Sequence, residues 1–261
     1  AYIRQRVEEI GARLCNHCYT SPVTVAASLH WLSTCRDAFL FEDCVEDSPL
    51  RRADDLDALP RPNLHRYIDV QAYAQYNSPL QVQTKRGCAL RCIYCVYNEI
   101  EGRAYRLRSP QRVADEIERL VSETGINHIE FTDSTFNIPL PHAKAVLRAV
   151  TAKGLDLRLC AEGLNPAAFD EELVDLMQAA GFVDADLGAE SGCDITLQTL
   201  GKEYTKQEVV RAGALLRARR ISTTWFVLLG APAETRTTVE ETLDTVTQAA
   251  DTPDMICVSI G

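Results

Sequence analysis

Three cysteines are the strongest chemical signal in the sequence. Cys88, Cys92 and Cys95 follow one another with the spacing Cys-x3-Cys-x2-Cys, so one short loop carries three thiols that can reach the same metal centre. A structural zinc site normally uses four protein ligands, often in two separated pairs. A 4Fe-4S cluster held by three thiolates instead leaves one iron open to a small molecule. The spacing favours the cluster, and the alternatives are a zinc site or three thiols packed as small apolar groups.

Alternating strand and helix patterns position this loop. Strand patterns cover 80–84, 128–132, 155–160, 183–187, 222–229 and 255–260, and helix patterns cover 110–123, 141–153, 170–180, 205–219 and 236–249. Such alternation predicts parallel β/α units. We therefore expect an α/β fold with a partial parallel (β/α)6 barrel over residues 79–261. Because the sequence stops directly after the sixth strand, we also expect this barrel to be truncated at its C-terminus.

The residues before the barrel divide into two parts. Residues 53–78 are rich in Asp, Arg and Pro without sustained periodicity, which predicts a linker. Residues 1–52 predict a short N-terminal α/β segment, with a helix over 1–14, a loop over 15–18, a second helix over 23–34 and a buried strand over 38–41.

Composition limits the class of protein. Hydrophobic residues make up 46% and charged residues 25%, which is typical of a soluble globular chain and excludes disorder as its main state. No apolar run could span a bilayer, and charges interrupt residues 1–20, so we expect a cytoplasmic protein without membrane contact. The net charge of -10 argues against nucleic-acid binding. Ten cysteines in a reducing compartment indicate metal ligands or core thiols rather than disulfides.

The cysteine motif resembles that of the radical S-adenosylmethionine (SAM) superfamily. The likeness includes Tyr94 directly before the third cysteine and the position of the motif after a first strand. The segments 83–87, 101–103 and 188–192 are similar to the branch that usually carries an N-terminal cobalamin-binding domain, and the resemblance covers about residues 54–261. The Asp-x-His-x-x-Gly pattern of such a domain is absent from the sequence, so cobalamin is expected in relatives only.

The resemblance to the radical SAM superfamily implies a reaction and its partners. The open iron of a 4Fe-4S cluster would bind SAM, and reductive cleavage of its C5'–S bond would yield methionine and a 5'-deoxyadenosyl radical, or would support radical methylation. The resemblance further implies a small-molecule substrate and an electron donor such as flavodoxin or ferredoxin. A non-catalytic metal-binding or scaffold protein is the competing interpretation, and SAM cleavage distinguishes the two.

Active sites of parallel β/α barrels lie at the carboxyl ends of the strands, so the residues there are candidates for cofactor binding. Asp133 follows the second strand, where the family usually has residues near the methionine amino group, although it could simply cap a turn. Glu162 follows the third strand and resembles a position that faces substrate or adenosine. No residue stands out as catalytic in its own right.

Two further candidates follow the fourth and fifth strands. Glu190 lies in a Gly-Ala-Glu-Ser-Gly segment and could accept hydrogen bonds from ribose hydroxyls. Its alternative role is a salt bridge to Lys202 or Arg211. Gly230 opens a turn that resembles the family's Gly-x-Pro-Gly-Glu-Thr pattern, except that Ala233 stands where Gly is usual.

Residues 1–52 resemble a different family. The stretches 17–30 and 39–42 look like the C-terminal barrel end of sugar-acid dehydratases of the enolase superfamily. His17 would match the catalytic histidine and Glu42 the carboxylate of the last strand. The metal-binding carboxylates of that family are missing, so we expect a fusion remnant or a spliced reading frame that exercises neither role.

Overall fold

A computed structural model describes residues 14–18, 38–43, 53–60, 69–250 and 256–260. The chain divides into two compact units, Ala1–Arg52 and Ala53–Gly261. In the first unit, β1 (Leu14–Cys18) pairs in parallel with β2 (Ala38–Asp43). The strand predicted at 38–41 is confirmed, whereas the loop predicted at 15–18 is wrong, because this stretch pairs with β2. The helices predicted over 1–14 and 23–34 fall outside the described residues, apart from Leu14 at the start of β1.

The second unit contains two parallel sheets. Its strands are β3 (Leu80–Val82), β4 (Lys85–Arg86), β5 (Arg106–Leu107), β6 (His128–Phe131), β7 (Arg158–Ala161), β8 (Asp184–Glu190), β9 (Ser222–Leu229) and β10 (Ile256–Ile260). The orders are β3-β6-β7 and β10-β9-β8, while β4 and β5 form a short antiparallel pair. Isolated parallel bridges from Leu159 to Phe182 and from Leu164 to Leu187 connect β7 and the residues after it to the second sheet. The described strands thus form part of a parallel barrel, as predicted.

Helices pack on the outer face of the sheets, except for the short helix at Tyr97–Ile100, which buries no residue. They are α1 (Val70–Gln75), α2 (Tyr97–Ile100), α3 (Pro110–Thr124), α4 (Leu140–Thr151), α5 (Glu171–Ala180), α6 (Asp194–Thr199), α7 (Lys206–Ala218) and α8 (Arg236–Ala249). Alternate strand residues, among them Ile129, Phe131, Leu159 and Leu187, are fully buried in one core with these helices. Each such side chain contributes about 1.5–3 kcal/mol relative to exposure. None of the described helices is both long and apolar enough to cross a bilayer.

Part of the stretch expected to be a linker packs on the barrel. Leu56 is buried, and the Asp57 carboxylate accepts hydrogen bonds from the backbone N–H of Ser109 at 3.0 and 3.2 Å. Arg112 Nη2 donates to the Asp57 carbonyl at 2.6 Å, and Arg106 Nη1 donates to the Ala53 carbonyl at 2.7 Å. These basic side chains therefore anchor the segment 53–60, and α1 adds a helix that the sequence did not predict.

Candidate functional site

The loop that carries the cysteines is fixed at its start by backbone contacts. Gly87 has a φ of +91°, and a Cβ added there would lie 2.0 Å from the carbonyl oxygen of Ala104, so only glycine fits. The Gly87 N–H donates to Glu101 Oε2 at 3.2 Å, and the Cys88 N–H donates to the Gly102 carbonyl at 2.9 Å. The first cysteine is thereby held against the end of its own loop.

The other two cysteines lie in a tight turn. The Cys95 N–H donates to the Cys92 carbonyl at 3.3 Å, and the Ile93 N–H between them donates to the Leu200 carbonyl at 3.1 Å. Cys88 is buried, whereas Cys92 and Cys95 are partly exposed. Burial raises the pKa of the Cys95 thiol, and the neighbouring Cys92 and Cys88 thiols raise it further. A bound cation would offset both effects, since metals take cysteine as thiolate.

The donor set distinguishes between the two kinds of metal centre. Among the described residues, no three His, Cys, Asp or Glu side chains converge on a point where they could hold a single metal ion. A structural zinc site requires such convergence of four donors. In a 4Fe-4S cluster each thiolate binds a different iron, so three sulfur atoms surround the cluster rather than one point. Three thiols in one short loop match the donor set of a cluster with one open iron and are one donor short of a structural zinc site.

The three cysteines line one wall of a cavity of about 210 Å³. The ends of β6, β7 and β8 and the loop before α7 supply further lining residues, including Thr135, Gly163, Asn165, Gly188, Glu190 and Lys202. A small molecule in this cavity would lie beside the thiols and the carboxyl ends of three parallel strands.

A β-bulge directs Glu190 into this cavity. The pairing of β8 with β9 shifts register between Gly188 and Glu190, and Glu190 has a φ of +57°. Its Oε1 accepts a hydrogen bond from the Tyr94 hydroxyl at 2.7 Å and lies 3.4 Å from Lys202 Nζ. The predicted salt bridge to Lys202 is thus present, and it lies at the cysteine site rather than away from it.

Two tyrosines surround the Lys202 ammonium. Its Nζ lies 5.2 Å from the ring centroid of Tyr94 and 5.8 Å from that of Tyr204. The Tyr204 hydroxyl donates to the Gly188 carbonyl at 2.7 Å, which fixes the strand end beside Glu190. Burial raises the pKa of both phenols, and the Glu190 carboxylate raises it further, so both hydroxyls stay protonated as donors. Nothing in the local sequence marked Tyr204, because its contacts depend on the bulge.

Asp133 has a different environment. Its Oδ1 accepts from the backbone N–H of Thr84 at 2.7 Å and of Lys85 at 3.1 Å. Its Oδ2 accepts from Thr84 Oγ1 at 2.5 Å and from Lys85 Nζ at 3.0 Å. The carboxylate is fully buried, and the cavity is lined instead by the next two residues, Ser134 and Thr135. Asp133 therefore faces the end of β3 and the start of the cysteine loop.

Glu162 and Gly230 do not line the cavity either. Glu162 is exposed and lies near the acidic inner face of the strands, where burial and the Asp184 carboxylate raise the pKa of Asp186 to about 6. The Gly230 N–H donates to Glu234 Oε2 at 2.7 Å. Of the four predicted strand-end residues, the structure brings only Glu190 to the cysteines.

The family comparison agrees with this geometry. The model of the Radical SAM superfamily matches residues 82–246, which include the cysteine motif and the strands β6 to β9. The chain belongs to the radical SAM superfamily. Proteins of this superfamily use a 4Fe-4S cluster and SAM, as the sequence predicted. The resemblance of residues 1–52 to the enolase superfamily is not supported by these findings and stays a prediction.

Several radical SAM proteins are similar to this chain. Cytidylyl-2-hydroxyethylphosphonate methyltransferase of Streptomyces wedmorensis is 31% identical over 70% of this chain and 36% of its own length. The anaerobic magnesium-protoporphyrin IX monomethyl ester cyclase of Cereibacter sphaeroides is 33% identical over 60% of this chain and 26% of its own. The structure of the methyltransferase TsrM from Kitasatospora setae, with cobalamin and a [4Fe-4S] cluster bound, has a TM-score of 0.68 and 31% identity over 78% of this chain and 39% of its own. The chain thus spans about a quarter to two fifths of the length of these relatives.

Proposed function

We propose that Cys88, Cys92 and Cys95 hold a 4Fe-4S cluster and that the chain cleaves SAM reductively in the adjoining cavity. The observation that supports this proposal is that the three thiols and the Glu190 carboxylate line one cavity. When bound, the cluster would supply the electron for cleavage of the C5'–S bond of SAM, with methionine and a 5'-deoxyadenosyl radical as the products.

The protein side chains bind and orient the cofactor. Glu190 accepts hydrogen bonds from the ribose hydroxyls, and Lys202 and Tyr94 hold its carboxylate in place. Glu162 and Gly230 lie at neighbouring strand ends, where they would meet a substrate larger than the cavity. We further propose a small-molecule substrate, a flavodoxin or ferredoxin as electron donor, and a cytoplasmic setting. Methylation and cyclisation are both candidate outcomes, because both occur among the named relatives.

Anaerobic reconstitution tests the cluster. We expect about four irons and four sulfides per chain, the content of one cubane. Cys92→Ala should lose most of this iron. Cys160→Ala is the matched control, because its thiol lies on β7 near the Ile129 carbonyl and does not line the cavity, so this variant should keep its iron. Full iron content in Cys92→Ala would overturn the assignment of the cluster ligands.

A second measurement tests the reaction. Reconstituted protein reduced with dithionite should convert SAM into 5'-deoxyadenosine and methionine, even slowly without substrate. Full iron content without any 5'-deoxyadenosine would leave the cluster in place and overturn the proposed activity, and it would support the scaffold interpretation.

A further inference from the structure

A hydroxyl cluster, formed by Ser191, Thr242 and Thr245, joins the end of β8 to the helix α8. Ser191 and Thr242 are fully buried, and their hydroxyl oxygens lie 2.7 Å apart. Thr242 Oγ1 also accepts a hydrogen bond from the Gly192 N–H at 3.2 Å, and Thr245 Oγ1 donates to the Gly192 carbonyl at 2.9 Å. Two residues on one face of α8 thus hold both backbone groups of Gly192.

Packing alone does not require these hydroxyls. The face of a helix that lies against a sheet is usually apolar, and a buried hydroxyl costs free energy unless it finds a partner. The fit at this position is also close, because a Cβ added at Gly192 would lie 2.4 Å from Thr245 Cβ. The helix therefore makes specific polar contacts with the residues that directly follow Glu190.

The turn held in this way is strained at Glu190. Its φ of +57° lies in the left-handed region, and the Ser191 N–H donates across it to the Ala189 carbonyl at 2.6 Å. A hydrogen bond of this span around a positive φ marks a γ-turn of the rare, strained type. Such a conformation persists only where surrounding contacts enforce it. The Tyr204 hydroxyl holds the Gly188 carbonyl before the turn, and the hydroxyl cluster holds the residues after it.

We infer that Thr242 is a positioning residue for Glu190: its hydroxyl fixes the turn after β8 and thereby directs the Glu190 carboxylate into the cysteine cavity. The inference rests on the proposed function, in which this carboxylate binds SAM. Thr242 does not line the cavity, so its effect on SAM must pass through the turn. Without its hydroxyl, the Gly192 N–H loses a buried acceptor, and the turn can relax and move the carboxylate away from SAM.

The experiment measures SAM binding to the reconstituted full chain by anaerobic isothermal titration calorimetry, with iron per chain measured in parallel. Thr242→Val should keep its iron and bind SAM about five- to tenfold more weakly, which is the effect of about one hydrogen bond. Thr242→Ser keeps the hydroxyl and should bind SAM as the unmodified chain does. If Thr242→Val does not fold, Ser191→Ala replaces it, because it removes the other half of the same hydrogen bond.

A double-mutant cycle separates positioning from a general effect on structure. Once Glu190→Ala has removed the carboxylate, Thr242→Val should cause no further loss of SAM affinity. Thr223→Val is the matched control and should bind SAM normally. Thr223 is a buried threonine on β9 whose hydroxyl accepts from Trp225 Nε1 at 3.0 Å and not from the turn.

Three results would overturn the inference. They are full affinity in Thr242→Val, an equal loss in Thr242→Ser or Thr223→Val, and a further loss when Thr242→Val is added to Glu190→Ala. The proposed function fails by different signs, namely no SAM binding by the unmodified reconstituted chain or full affinity in Glu190→Ala.

Discussion

The ends of β6 and β8 each carry an acidic residue that the sequence marks in the same way, yet the structure gives these residues opposite environments. Asp133 after β6 is fully buried and accepts four hydrogen bonds from two neighbouring residues. Glu190 at the end of β8 is partly exposed and lines the cysteine cavity, and its carboxylate interacts with the Tyr94 hydroxyl and the Lys202 ammonium. The first carboxylate is committed to the fold, and the second keeps acceptor capacity for a ligand.

The difference follows from the backbone at each strand end. At β6 the chain continues past Asp133, while Thr84 and Lys85, which follow the adjacent β3, present two backbone N–H groups to the carboxylate. At β8 the bulge gives Glu190 a left-handed φ and turns its side chain away from the ladder. A carboxylate whose acceptor sites are filled by buried donors stabilises structure, whereas one with two side-chain partners can accept further hydrogen bonds from a ligand.

The largest expected effect in this comparison is on folding. Asp133→Asn and Glu190→Gln are the same chemical change at the two strand ends. Asp133→Asn leaves Lys85 buried without its counter-ion, so the free energy of unfolding of the apoprotein should fall by about 3–5 kcal/mol. Glu190→Gln affects a longer pair, 3.4 Å between Lys202 Nζ and Glu190 Oε1, and leaves a side-chain oxygen that can still accept from Tyr94, so it should cost less, about 0.5–1.5 kcal/mol. Urea unfolding followed by circular dichroism measures both values, and equal losses would break the comparison.

The next effect is on cofactor binding, where Glu190→Gln should have a larger effect than Asp133→Asn. Glu190→Gln should weaken SAM binding to the reconstituted protein about 10- to 100-fold, because loss of a hydrogen bond to a charged group costs about 1.5–3 kcal/mol. Iron content should not change, since Glu190 is not a cluster ligand. Tyr94→Phe keeps the ring and removes only the donor to Glu190, so its loss of affinity should be smaller. Isothermal titration calorimetry under anaerobic conditions gives the dissociation constants, and unchanged affinity in Glu190→Gln would move Glu190 to a structural role.

Periodicity predicted most of the barrel. The five long helices and the strands of the two parallel sheets lie within about three residues of the boundaries expected from the sequence, because each buries one face in a regular pattern. The elements that were missed depend on distant partners. The strand Leu14–Cys18 forms against β2, and the segment 53–60 is ordered by arginines some fifty residues later in the chain. Neither arrangement leaves a local pattern.

The candidate site was predictable only in part for the same reason. The cysteine spacing is local, and it predicts three thiols close together, which the structure places along one cavity. Which strand-end carboxylate faces that loop depends on Lys85, 48 residues from Asp133 in sequence, and on the bulge before Glu190. The burial of a lysine beside the motif contradicts the usual pattern for charged residues and had no signal in the sequence.

The smallest expected effect extends the comparison to a third strand end, that of β9. Ala233 has a φ of +63° in the turn where relatives usually have glycine. A left-handed conformation costs an L-residue about 1–2 kcal/mol, and glycine costs about 0.4–1 kcal/mol in the entropy of the unfolded chain, so Ala233→Gly should stabilise the protein by up to about 1 kcal/mol. Ala231→Gly is the matched control, because Ala231 has no positive φ and the same change there should destabilise. If Ala233→Gly raises the urea midpoint and leaves SAM affinity unchanged, then the end of β9, like that of β6, contributes to stability and not to cofactor binding. A gain in SAM affinity would instead show that the end of β9, like that of β8, contributes to cofactor binding. Destabilisation equal to that of Ala231→Gly would contradict backbone strain at Ala233.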